Sequence, residues 1–256
     1  MDIQELLRIM EALRGEKGCP WDKGQTRESL KPYIIEEAYE LFEAIEENEP
    51  EHIKEELGDL LFQIVFQCQI AKEMAEFDLA AVIEKIAQKM IARHPHVFSE
   101  AECANPEEVV KQWEVLKKRE GKMRESILEG VPKAMSALLR ARRLQKRAAQ
   151  AGFDWEKVGD VLEKLDEELN EFKEAVKSKD QRGIEDELGD ILFMLVNISR
   201  FIGVNPEDAL RKTISKFIHR FRHIEMNAAE QGRKLSDMTL EEMDKSWDEA
   251  KEKENK

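Results

Sequence analysis

Five carboxylates recur in this chain at one fixed spacing. Glu36, Glu37, Glu40, Glu56 and Asp59 return 131 positions later as Glu167, Glu168, Glu171, Glu187 and Asp190. Around the last two, the run Glu-Leu-Gly-Asp-Leu-Leu-Phe from Glu56 to Phe62 returns from Glu187 to Phe193 with one change, Leu60 to Ile191. A solvated acidic helix has no reason to keep such spacing, whereas a cation site does. The duplication also limits the fold. A chain of 256 residues admits one large domain or two modest ones, and the repeat favours two.

Both acidic segments read as helices flanking a short polar turn, Asn48-Glu49-Pro50 in the first copy and Ser178-Lys179-Asp180 in the second. In an antiparallel hairpin, Glu37 then lies level with Asp59 and Glu40 with Glu56, and likewise Glu168 with Asp190 and Glu171 with Glu187. Residues three or four apart share a helix face, and packed helices lie about 8–10 Å apart. Four carboxylates therefore converge on one point in each hairpin. Unneutralised, they would repel or protonate. An oxygen-only cage without His or Cys suits Mg²⁺ or Mn²⁺, and Mg²⁺ keeps room for water and phosphate oxygens.

No segment alternates with period two, so the reading is all-α. Helices are expected at about 2–14, 28–47, 51–74, 79–93, 106–120, 133–150, 157–177, 181–202, 206–230 and 239–254. The turn-rich stretch Gly121–Pro132 divides the chain into domains 1–120 and 133–256, with 121–132 as linker. Charged residues at 38% against 7% aromatics fit a soluble helical protein. A formal charge of −14 argues against a general nucleic-acid surface. The apolar stretches near 57–71 and 188–204 are broken by Asp59 and Asp190 and read as core helices, not membrane spans. Cys19, Cys68 and Cys103 have no paired spacing, and the N-terminus has an amphipathic pattern rather than a signal peptide. Both point to the cytoplasm.

The repeat continues past the hairpins. Lys89 and Arg93 correspond to Lys216 and Arg220, Trp113 to Trp247, and Trp21-Asp22 to Phe153-Asp154. A phosphate-binding site would need such cations. The strings Gly-Cys-Pro-Trp-Asp from Gly18, Arg-His-Pro-His-Val-Phe from Arg93 and Gly-Phe-Asp-Trp from Gly152, set around the acids, resemble the MazG family over nearly the whole chain.

That resemblance implies two MazG-like helical domains in tandem, with four-helix-bundle packing completed by dimerisation. It implies hydrolysis of nucleoside triphosphates between the α- and β-phosphates, giving a monophosphate and pyrophosphate. The metal ligands implied are Glu37, Glu40, Glu56 and Asp59, and Glu168, Glu171, Glu187 and Asp190. Lys216, Arg220 and Trp247 take the substrate contacts, with Lys89 and Arg93 as their first-half counterparts. Lys164 joins the clamp, one turn before Glu168. Glu167 or Glu36, beside the ligands without being one, is the candidate for orienting or deprotonating water. The second half is expected to carry most of the catalysis, because Lys164 replaces Tyr33 and Pro95 ends the first basic helix. The contrasting class is a helical interaction protein with a GTPase partner. A carboxylate-bridged di-iron bundle lacks its paired Glu-x-x-His motifs.

Overall fold

A computed structural model describes residues 2–99, 105 and 126–254. The chain forms two compact units, Met1–Lys122 and Met123–Lys256. The described residues contain helices and turns and no strand.

The first unit contains α1 (Ile3–Arg14), α2 (Pro20–Gly24), α3 (Lys31–Glu47), α4 (Pro50–Glu73), α5 (Leu79–Arg93) and α6 (Pro95–Phe98). The Asp2 carboxylate opens α1 by accepting from the amides of Gln4 and Glu5 at 3.0 and 3.1 Å. The chain then folds back sharply at Gly18, where a Cβ would lie 2.1 Å from the Leu13 carbonyl oxygen, so only glycine fits. Arg14 ties this turn to α4. Its Nη1 donates to the carbonyls of Asp22 and Gln25 at 2.5 and 3.2 Å, and its Nη2 lies 2.6 Å from Glu73. The α3–α4 hairpin turns through Asn48 in the left-handed region (φ 57°), and Pro50 starts α4 where a missing amide hydrogen costs nothing. Met10, Leu30, Val65, Phe66, Cys68, Ile70 and Leu79 form the core.

The second unit contains α7 (Ala137–Gln150), α8 (Val158–Ser178), α9 (Gln181–Phe201), α10 (Pro206–Glu230), a 3₁₀ turn (Leu235–Asp237) and α11 (Leu240–Glu254). Its acidic hairpin is α8–α9, turning through left-handed Lys179 (φ 59°). Gln145 of α7 docks on this hairpin, its Nε2 donating to the Phe193 carbonyl at 2.8 Å. Ile224, Ala228 and Met238 join α10 to α11, with Leu235, Met243 and Trp247 packed against them.

The helices expected from the sequence are present across the described residues, with shifted ends. Residues 28–30 lie in a turn held by Ser29 and Thr26, so α3 begins at Lys31. The first helix of the second half starts at Ala137 rather than 133. Between the first two expected helices, 2–14 and 28–47, the chain also forms α2. The expected helix at 106–120, with Trp113, lies outside the described residues, as does Cys103.

Candidate metal centre

Each hairpin brings three acids together across its two helices. In the first, Glu37 and Glu40 come from α3 and Glu56 from α4, with one carboxylate oxygen of each within 4.8 Å of the others. The second repeats the arrangement with Glu168 and Glu171 from α8 and Glu187 from α9. Glu56 and Glu168 are buried, Glu37 and Glu187 half-buried, and Glu40 and Glu171 exposed.

The electrostatics are unfavourable without a counter-charge. Burial pushes the Glu37 carboxyl above its ordinary range; the Gln63 hydrogen bond opposes this, and Asp59 and Glu40 reinforce it. Burial likewise raises Glu187, with Glu171, Glu168 and Asp190 adding to the effect. Oε2 of Glu56 and Oε2 of Glu187 are buried with no hydrogen-bond partner, a costly state for a carboxylate. A hard divalent cation would relieve all of this, and the oxygen-only donor set fits one. Asp59 and Asp190, expected to complete each set, sit at exposed positions outside the three-oxygen groups, near enough to add to the repulsion on Glu37 and Glu187.

The surroundings of the two groups differ. In the first, Gln63 Nε2 donates to Glu37 Oε1 at 3.2 Å. His52 bridges two acids there, with Nε2 3.3 Å from Glu56 and Nδ1 2.9 Å from Glu47. The corresponding residues in the second copy are Met194 and Gly183. In their place Lys164 Nζ lies 2.8 Å from Glu168 and 2.9 Å from Glu167. Those two hydrogen bonds, Glu168's the larger, hold the lysine firmly protonated. At the matching position, Tyr33 packs edge-on against Trp21 with ring centres 5.9 Å apart. Glu36 is exposed on α3. Sequence reasoning missed Gln63, and it weighed His52 only in a Glu49-x-x-His52 pattern that it set aside. The signal available for His52 was its i,i+4 spacing to Glu56.

Arg220 of α10 is engaged by the chain's own residues. Arg220 Nη2 and Nε lie 2.6 and 3.1 Å from Glu254 Oε2, and the guanidinium sits 5.4 Å over the Trp247 ring. Phe217 completes the cluster, 5.4 Å from Trp247. Arg220 holds the Glu254 carboxyl below its usual range, with His219 and Lys216 contributing. Glu254 was not anticipated, since no local spacing links it to a residue 34 positions away. Lys216 and Lys89 are exposed, and Arg93 is the last residue of α5. Among the described residues, α10 packs on α7, α9 and α11 and not on α8, and α5 packs on α4 and α6 and not on α3. Among the described residues, each acidic group is therefore built from its own hairpin, and the basic helix packs on α9 or α4 rather than on α8 or α3.

The sequence profile of the MazG nucleotide pyrophosphohydrolase domain matches residues 25–98 and again 156–225. The chain belongs to the MazG family. Each MazG match spans a complete acidic hairpin, the first with all of its basic helix and the second with most of it, while Trp247 and Glu254 fall beyond the second. The nucleoside triphosphate pyrophosphohydrolase/pyrophosphatase MazG of Thermotoga maritima is 48% identical over 250 residues, covering 97% of this chain and 95% of its own. The nucleoside triphosphate pyrophosphohydrolase of Escherichia coli K12 is 41% identical over 257 residues and 98% of each chain. A crystal structure of a mazG-related protein from Thermotoga maritima aligns with 45% of this chain and 99% of its own at 31% identity, with a TM-score of 0.40.

Proposed function

We propose that this protein hydrolyses nucleoside triphosphates to nucleoside monophosphates and pyrophosphate with Mg²⁺ or Mn²⁺, mainly in its C-terminal repeat. The observation that carries the reading is the pair of three-carboxylate groups, each with a buried unpartnered oxygen, in a chain of the MazG family. Glu168, Glu171 and Glu187 would hold the ion with Asp190 at the edge of the set, and Glu37, Glu40, Glu56 and Asp59 would do so in the first repeat. When bound, the ion neutralises phosphate charge and makes water a better nucleophile.

The remaining roles fall to the chain's own side chains. Lys164 fixes Glu167 and Glu168 relative to each other. Glu167 is exposed beside the metal set and takes the proton of the attacking water, with Glu36 as its counterpart. Water then adds across the bond between the α- and β-phosphates, and the bridging oxygen leaves with pyrophosphate. Lys216 and Arg220 clamp the phosphates, with Lys89 and Arg93 as weaker equivalents, and Trp247 offers a flat apolar face to the base. The extent of α10 supports the asymmetry: it continues to Glu230, whereas α5 stops at Arg93 before Pro95. Among the described residues each three-acid group is built from its own hairpin, and we assign the remaining walls to a second copy of the chain in a homodimer. Among the described residues no helix is long and apolar enough to cross a membrane, and we place the protein in the cytoplasm.

Matched variants test the assignment. Glu168→Ala is expected to abolish most pyrophosphate release, and Glu37→Ala to leave most of it intact. Equal losses would remove the asymmetry, and wild-type inactivity toward a full panel of ribo- and deoxynucleoside triphosphates with Mg²⁺ would remove the function.

A further inference from the structure

A second set of charged side chains lies on other elements. α7 carries Arg140, Arg142, Arg143, Lys146 and Arg147 and no acid, in a chain of formal charge −14. Arg142, Arg143 and Lys146 join Arg200, Met135 and Leu139 around an open cleft of about 480 Å³. Arg200 lies 13 residues beyond Glu187 on α9, about 20 Å along the helix axis. The Arg200 end of the cleft thus lies apart from the acidic group of the α8–α9 hairpin.

Among the described residues, only one of the four cleft cations has an acidic partner. Arg200 is held in place, with Nη1 3.0 Å from Asp154 Oδ2, Nη2 2.8 Å from Asn197 Oδ1, and its guanidinium 4.6 Å over the Phe201 ring. Asp154 answers that one charge. Arg142, Arg143 and Lys146 have no hydrogen-bond or ion-pair partner among the described residues. Their neighbour Arg147, by contrast, donates to the Ile127 carbonyl at 3.3 Å. Three unpartnered cations within about one helical turn repel one another, and an acidic chain offers many carboxylates that could have been placed beside them. Guanidinium groups grip phosphate through paired hydrogen bonds, and a lysine adds a mobile point charge. The Met135 and Leu139 walls give an apolar surface beside the cations.

We propose that this cleft binds a small anion built on a chain of phosphates, at a site distinct from that of hydrolysis. Inorganic oligophosphates and nucleoside polyphosphates share this chemistry. The inference stands independently of the proposed hydrolysis, because binding is measured with EDTA present.

Titration calorimetry of the full chain with inorganic tripolyphosphate, and separately with ATP, tests the site. The wild type should bind tripolyphosphate saturably, and Arg143→Ala/Lys146→Ala should weaken that binding at least about tenfold. Arg220→Ala should leave it unchanged. Both substituted side chains lack partners, so the melting temperature should hold. Should it fall, Arg143→Gln/Lys146→Gln removes the charges with less loss of side chain and should give the same weakening. Tighter binding of ATP than of tripolyphosphate would make a nucleotide the ligand, and equal binding would make phosphates alone sufficient. Absence of saturable binding, wild-type affinity in both double variants, or saturation only by an RNA homopolymer would overturn the proposal.

Discussion

A carboxylate half-buried beside two others opposes folding until something neutralises it, and Glu187 is in this position. Burial and then Glu171 hold its carboxyl above the usual range, and one of its oxygens has no partner. Glu187→Gln removes a charge while keeping the shape. In EDTA, this variant is expected to melt at or above the wild-type temperature. With Mg²⁺, the wild type should gain several degrees through ligand linkage and the variant little or nothing. A variant that melts lower without metal and still responds to Mg²⁺ would show that Glu187 is not part of a cation site. The acids were legible in the sequence because their spacing is duplicated and each trio lies across one hairpin. Their immediate partners were less so. The Lys164–Glu168 contact follows the i,i+4 rule, but Gln63 reaches Glu37 across 26 positions by virtue of how α3 packs on α4.

At the scale of elements, α10 and α11 are joined by charge as well as by apolar packing. Thr239 and Glu242 form a reciprocal cap at the start of α11: the Thr239 amide donates to Glu242 Oε2 at 2.8 Å, and the Glu242 amide donates to Thr239 Oγ1 at 3.3 Å. Arg233, and next the Thr239 amide, hold the Glu242 carboxyl down to about 2 from an ordinary 4.5. Because the folded value lies below the unfolded one, this contribution is complete above pH 4.5 and is lost as pH falls toward about 2. Amide protection in α11, followed by NMR, should decline over that window, and Glu242→Gln should remove that part of the decline. At the other end of the helix, Glu254 occupies the guanidinium that the proposed mechanism needs. Glu254→Gln should therefore lower KM for the triphosphate several-fold with little change in kcat; an unchanged KM would mean that Arg220 does not meet substrate. The long helices were readable from periodicity and caps. The one-turn helices Pro20–Gly24 and Pro95–Phe98 were not, since four or five residues hold no period to detect.

For the whole molecule, the apolar residues left outside each unit's core carry the argument. Leu57, Leu61 and Ile64 on α4 are 52%, 39% and 44% exposed, and their repeat counterparts Leu188, Leu192 and Leu195 on α9 are 47%, 48% and 47% exposed. Each trio follows i, i+4, i+7 spacing and so forms one stripe, in helices whose cores are complete without it. Burying the exposed half of such side chains yields about 1 kcal/mol apiece, so two matched stripes per chain favour association with another copy. The sequence alone placed these leucines on core helices; only the packing distinguishes the face turned inward from the face left over. Leu192→Glu/Leu195→Glu sets charge on the stripe without touching the proposed ligands Glu168, Glu171, Glu187 or Asp190. By light scattering the wild type should be a dimer and this variant a smaller species of unchanged helical content by circular dichroism. If the proposed dimer completes the site, hydrolysis by this variant should fall with its size. A wild type that is monomeric at micromolar concentration, or a monomeric variant with full activity, would place a complete site within one chain.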